Sequence, residues 1–129
     1  MEYNSLMHIG FFTDRMEEMV RFYTEVLGGT VKVVSRYGSY LHRDDRPAMQ
    51  AIAKVRPNDI FNIYVEMAPG QFVEFFPKEE GQKEHTGFNE HLGYSHFALC
   101  VPDIQEAVRE LESRGLTFDT KLSKGPSET

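Results

Sequence analysis

The chain has 129 residues, a formal charge of −6, and 40% apolar and 12% aromatic residues. That is enough length for one well-buried core, and too apolar a composition for a disordered chain. The acidic balance argues against nucleic-acid binding, which needs a basic face. No apolar run approaches the roughly 20 residues that span a bilayer. Met1-Glu2-Tyr3-Asn4-Ser5 lacks the basic and apolar regions of a secretory leader. Cys100 is alone, as expected in a reducing compartment. The expectation is one cytoplasmic domain without nucleic-acid or membrane partners.

The first predicted strand is Met7-His8-Ile9-Gly10-Phe11-Phe12. A helix should follow, capped by Asp14 with Glu17 as its capping-box partner. Met16, Met19, Val20, Tyr23, Val26 and Leu27 recur at helical spacing, and Gly28-Gly29 should end it. Thr30 to Tyr37 reads as a strand. Gly38 to Asn58, charged and broken by Pro47 and Pro57, reads as loop with room for a short helix. Ile60 to Met67 alternates, with Phe61, Ile63 and Val65 on one face. Ala68-Pro69-Gly70 signals a turn, and Gln71 to Phe76 returns. This makes a β-α-β-β-β module over about residues 1–77, followed by a polar linker over about 78–92.

Sliding the chain by 88 residues lays His8 on His96, Glu18 on Glu106, Val20 on Val108, Arg21 on Arg109 and Ser35 on Ser123. A strand is expected over Tyr94 to Val101. A helix capped by Asp103 with Glu106 should follow, stopped at Gly115. A short strand after Asp119 is the last element expected. The second module, about residues 93–129, therefore reads as shortened by two strands.

Alternation sends every second strand residue to one face. His8, Glu74 and His96 each interrupt a strongly apolar strand. A carboxylate among Phe72, Val73, Phe75 and Phe76 is costly unless something pairs with it. Two imidazoles and a carboxylate suit a divalent ion such as Zn, Ni, Co, Mn or Fe, whose Lewis acidity eases enolate formation. A satisfied core histidine and a solvated edge acid are the other readings of these residue types. His42, His85 and His91 fall in loops and lack the His-Glu-x-x-His spacing. Cys100 reads as small buried filler, and Phe12, Phe72, Phe76 and Tyr94 read equally as an apolar wall or as packing between modules.

The run His8-Ile9-Gly10-Phe11-Phe12-Thr13-Asp14, with Phe22-Tyr23 and Leu27-Gly28-Gly29, resembles the opening module of the vicinal oxygen chelate superfamily. That group includes glyoxalase I, methylmalonyl-CoA epimerase, extradiol dioxygenases, fosfomycin-resistance enzymes and bleomycin-binding proteins. Gly93 to Leu99, then Asp103 to Gly115, resembles the start of its second module. Gln71 to Phe76 resembles the strand bearing its first acidic ligand. The resemblance implies an α+β fold of two βαβββ modules whose curved mixed sheets form a cup. It implies one divalent metal held by His8, Glu74 and His96, with a fourth ligand on a strand beyond residue 129. Glu74 is also the catalytic candidate. The implied activity is that of a glyoxalase I-like lyase or isomerase (lactoylglutathione lyase-like), acting on a small oxygen-chelating substrate. A metal-free, bleomycin-resistance-type binding module and an extradiol dioxygenase are the alternatives. A homodimer is expected, to cover the open sheet edge.

Overall fold

The computed structural model describes residues 1–87 and 89–124. The chain divides into two units, Met1–Gln82 and Lys83–Thr129.

The first unit is α+β, built on a four-stranded mixed sheet in the order β1-β4-β3-β2. Strand β1 (His8–Thr13) lies parallel to β4 (Gln71–Pro77). β4 runs antiparallel to β3 (Ile60–Ala68), and β3 antiparallel to β2 (Thr30–Arg36). The sheet is an open one, with β1 and β2 at its edges. This is the βαβββ module the alternation predicts.

One face of the sheet carries the core. Val65 and Phe75 are fully buried there, with Ile63 and Val73 beside them. Helix α1 (Met16–Arg21) and the π-helical turn that extends it (Phe22–Val26) bring Tyr23 onto Phe75, with ring centroids 5.2 Å apart. The turn must come very close to the sheet. A Cβ on Gly29 would fall 2.7 Å from both Met67 Sδ and Val65 Cγ1, so only glycine fits. Gly28, at φ 83°, takes the left-handed conformation that ends the helix.

Three local expectations change. Asp14 does not cap α1. The helix begins one residue later, and the turn is closed by Thr13 Oγ1 accepting from Arg15 N at 3.0 Å. The stretch read as mostly loop holds a 3-10 turn (Tyr37–Tyr40) and a nine-residue helix α2 (Pro47–Val55). Pro47 starts α2 at a position where a missing N–H is harmless, and Ala53 is fully buried. A bulge between Ser35 and Arg36 takes Phe61 out of the alternation. Its ring lies against Tyr37, Tyr40 and Phe76 instead of joining Ile63 and Val65.

The second unit has helix α3 (Ile104–Ser113), capped as expected by Asp103, which accepts from Glu106 N at 3.1 Å. Gly115, at φ 92°, ends it. Tyr94 to Val101 is not a strand, and no strand follows Asp119 among the described residues. In the first unit β1 hydrogen-bonds β4, which arrives much later in the chain. No described residue plays that part for 94–101, so its N–H and C=O groups form no ladder. No residue of α3 is buried, and Cys100 is exposed rather than filling a core.

Candidate functional site

The face of the sheet opposite the α1 core holds the polar residues. His8, Gly10 and Phe12 alternate along β1 and pair with Phe72, Glu74 and Phe76 of β4. Tyr64 of β3 stands across from Glu74 on its other side. This pairing depends on a bulge. The turn after Ala68 pairs Ala68 with Gln71, and unbroken register would then set apolar Val65 against Glu74. A register shift between Glu66 and Ala68 moves Tyr64 there instead. Hydrophobic patterning favours that shift, since it keeps Val65 in the core.

Glu74 is 6% exposed, and Asn62 beside it is 5% exposed. Asn62 Nδ2 donates to Glu74 Oε2 at 2.8 Å. Burial, together with the Glu74 carboxylate that faces it across the sheet, pushes the Tyr64 phenol up to about 12. His8 Nε2 lies 3.4 Å from Glu74 Oε1, and its ring meets Tyr64 edge-on at 5.8 Å. The partners that a carboxylate among four apolar neighbours requires are therefore present. Asn62 Oδ1 is buried and has no hydrogen-bond partner among the described residues.

His8 and Glu74, on different strands, thus come together as the alternation implies. Two ligands each about 2.0–2.2 Å from one tetrahedral ion stand roughly 3.4 Å apart, which is the separation of Nε2 and Oε1. The donor chemistry and spacing of this pair fit a divalent metal. Among the described residues no third His, Cys, Asp or Glu completes a group able to hold one. His96 lies in the second unit, exposed, with its Nδ1 3.0 Å from Ser95 Oγ.

Sequence reasoning missed Asn62 and Tyr64. Their signal was the polar half of the β3 alternation, Asn62-x-Tyr64-x-Glu66, opposite Ile63 and Val65. Around the pair, Phe12 and Phe76 rings pack at 5.3 Å and Tyr64 and Phe72 at 5.8 Å, so Phe12, Phe72 and Phe76 share the sheet face of His8 and Glu74. Tyr94, grouped with them from sequence, lies in the second unit beside a cavity of about 330 Å³ also lined by His85 and His91. No helix among the described residues is long and apolar enough to cross a membrane.

Residues 5–129 match the family model described as the Glyoxalase/Bleomycin resistance protein/Dioxygenase superfamily. The chain is 31% identical over 119 aligned residues to glyoxalase I of Saccharomyces cerevisiae, a match taking in 82% of this chain and 34% of that protein. It therefore spans about a third of that relative's length. No solved structure matches it.

Proposed function

This chain belongs to the glyoxalase/bleomycin resistance protein/dioxygenase superfamily, and from that premise we propose a glyoxalase I-like, metal-dependent lyase or isomerase. Its substrate is a small molecule that chelates through neighbouring oxygens. The observation that carries the proposal is the His8–Glu74 pair, two ligand-type side chains 3.4 Å apart on one sheet face. His96 is the third ligand of this proposal, on the strength of its match to His8 in the repeat. The ion is Zn, Ni, Co, Mn or Fe. When bound, it supplies Lewis-acid polarisation of a substrate oxygen.

The chain's own residues do the rest. Glu74 is the catalytic candidate and brings the negative charge that balances the cation, with Oε1 the oxygen turned to His8. Asn62 holds the carboxylate in place through its hydrogen bond to Oε2, and Tyr64 stands across from it on β3. Phe12, Phe72 and Phe76 supply an apolar wall that keeps water from one side. A homodimer belongs to the same proposal, since Leu99, Val101 and Ile104 are all exposed and call for cover.

The test is elemental analysis of protein purified without a histidine tag. Near one transition metal per chain, lost in Glu74→Ala with the fold intact by circular dichroism, supports the proposal. Equal metal in both proteins rejects Glu74 as a ligand. A metal-free binding module of the bleomycin-resistance kind is favoured by one feature, the Phe12–Phe76–Phe61 cluster with Phe12 53% exposed. Saturable binding of a planar aromatic drug by chelator-stripped protein would select that reading.

A further inference from the structure

Asn62 is polar, buried and half-satisfied, on a strand whose other buried residues are apolar. One lobe of its amide donates to Glu74 Oε2 at 2.8 Å; the other, Oδ1, is buried without a partner among the described residues. The carboxylate dictates this orientation, because turning the amide over would set two oxygens against each other. A buried acceptor left unmade destabilises the fold. A buried charged or polar pair is also commonly less stabilising than well-packed apolar residues of the same size. The pair therefore does not contribute to stability in the way Val65 and Phe75 do.

Its geometry matters for Glu74. With Oε2 engaged by Asn62, the carboxylate cannot rotate freely, and Oε1 is the oxygen turned to His8 Nε2 at 3.4 Å. Gly10 lies across from Glu74 on the other side. A Cβ there would sit 3.7 Å from Oε1 and 3.4 Å from Phe76 Cε2. The absence of a side chain at Gly10 leaves that side of Oε1 clear, while the Asn62 side is closed.

We propose that Asn62 is a positioning residue, which pins Glu74 through Oε2 so that Oε1 alone is offered, beside His8, to a bound divalent cation. This deepens the metal-centre proposal and rests on it. Partners that orient a ligating carboxylate commonly change metal affinity by about 10–100-fold when removed.

Two measurements on the full chain test it. The first is Zn2+ affinity, by competition with a chromophoric chelator, for wild type, Asn62→Leu and Glu74→Ala. Asn62→Leu is expected to weaken binding about 10–100-fold, and Glu74→Ala to abolish it. The second is the melting temperature of metal-stripped protein carrying Asn62→Leu together with Glu74→Met, which replaces both polar groups by apolar ones of similar shape. It is expected to melt above stripped wild type, as a pair kept for function rather than stability should. Wild-type Zn2+ affinity in Asn62→Leu, or a double variant melting below wild type, overturns the inference. If wild type itself binds no Zn2+, the metal-centre proposal fails, and with it the assignment of Asn62 to a cation.

Discussion

Residues 8–29 and 96–115 carry the same sequence plan, a histidine-bearing apolar run, an acidic cap and an amphipathic helix stopped by glycine. They do not form the same structure. The first copy's run is a strand, paired residue for residue with β4 from His8 against Phe72 to Thr13 against Pro77. The second copy's run forms no strand, although its helix is the better capped of the two. Helix α3 needs only neighbours within the same few residues, and Asp103 supplies its cap. A strand needs a distant partner for every second N–H and C=O, and that partner determines whether the strand exists. The consequence for function is direct. His8 is fixed against Glu74 by backbone pairing, while His96 has no such frame.

The largest expected contrast lies in the cores. Phe75→Ala, at a fully buried residue, should cost about 3–5 kcal/mol in urea unfolding. Leu111→Ala, at a half-buried position of α3, should cost about 1 kcal/mol or less. Equal losses would mean that the second unit has a packed core of its own. The helix stops give a smaller contrast. Gly29→Ala forces a methyl into Met67 and Val65 and should cost about 1–3 kcal/mol. Gly115→Ala meets open space and only an unfavourable φ, a penalty of about 1–2 kcal/mol.

The caps sharpen the comparison further. Asp103→Ala should reduce the helicity of α3 and cost about 1 kcal/mol, read by circular dichroism. Asp14→Ala, at an acid that caps nothing, should stay within about 0.5 kcal/mol of wild type.

The smallest effect is at alkaline pH. Tyr64 titrates near 12 in the folded protein against 10.0 for an unperturbed phenol. The native state therefore holds its proton where the unfolded state has lost one. Its contribution to stability is present below pH 10 and is lost as pH rises through 10 towards 12. Glu74→Gln removes the carboxylate charge, so phenolate absorbance should then appear at lower pH.

Period-two alternation made His8 and Glu74 legible, because each is the polar exception on an apolar strand and the strands are real. The family, too, was legible in the His8–Asp14 and Gln71–Phe76 runs, and the match over residues 5–129 agrees. Asn62 and Tyr64 were hidden by register. Only the bulge near Met67 brings Tyr64 across from Glu74, and turn residues alone imply the pairing one position away. The Asp14 cap was misplaced because β1 pairing extends through Thr13, whose hydroxyl then closes the turn. The strand over 94–101 was misread for a deeper reason, since its sequence is as strand-like as β1 and differs only in what lies beside it.

Amide hydrogen exchange over residues 7–13 and 94–101, followed in one sample, tests this difference most directly. The account predicts strong protection at the paired amides of β1 and near-free exchange across 94–101. Comparable protection in both segments would contradict it, and would place His96 on a paired strand like His8.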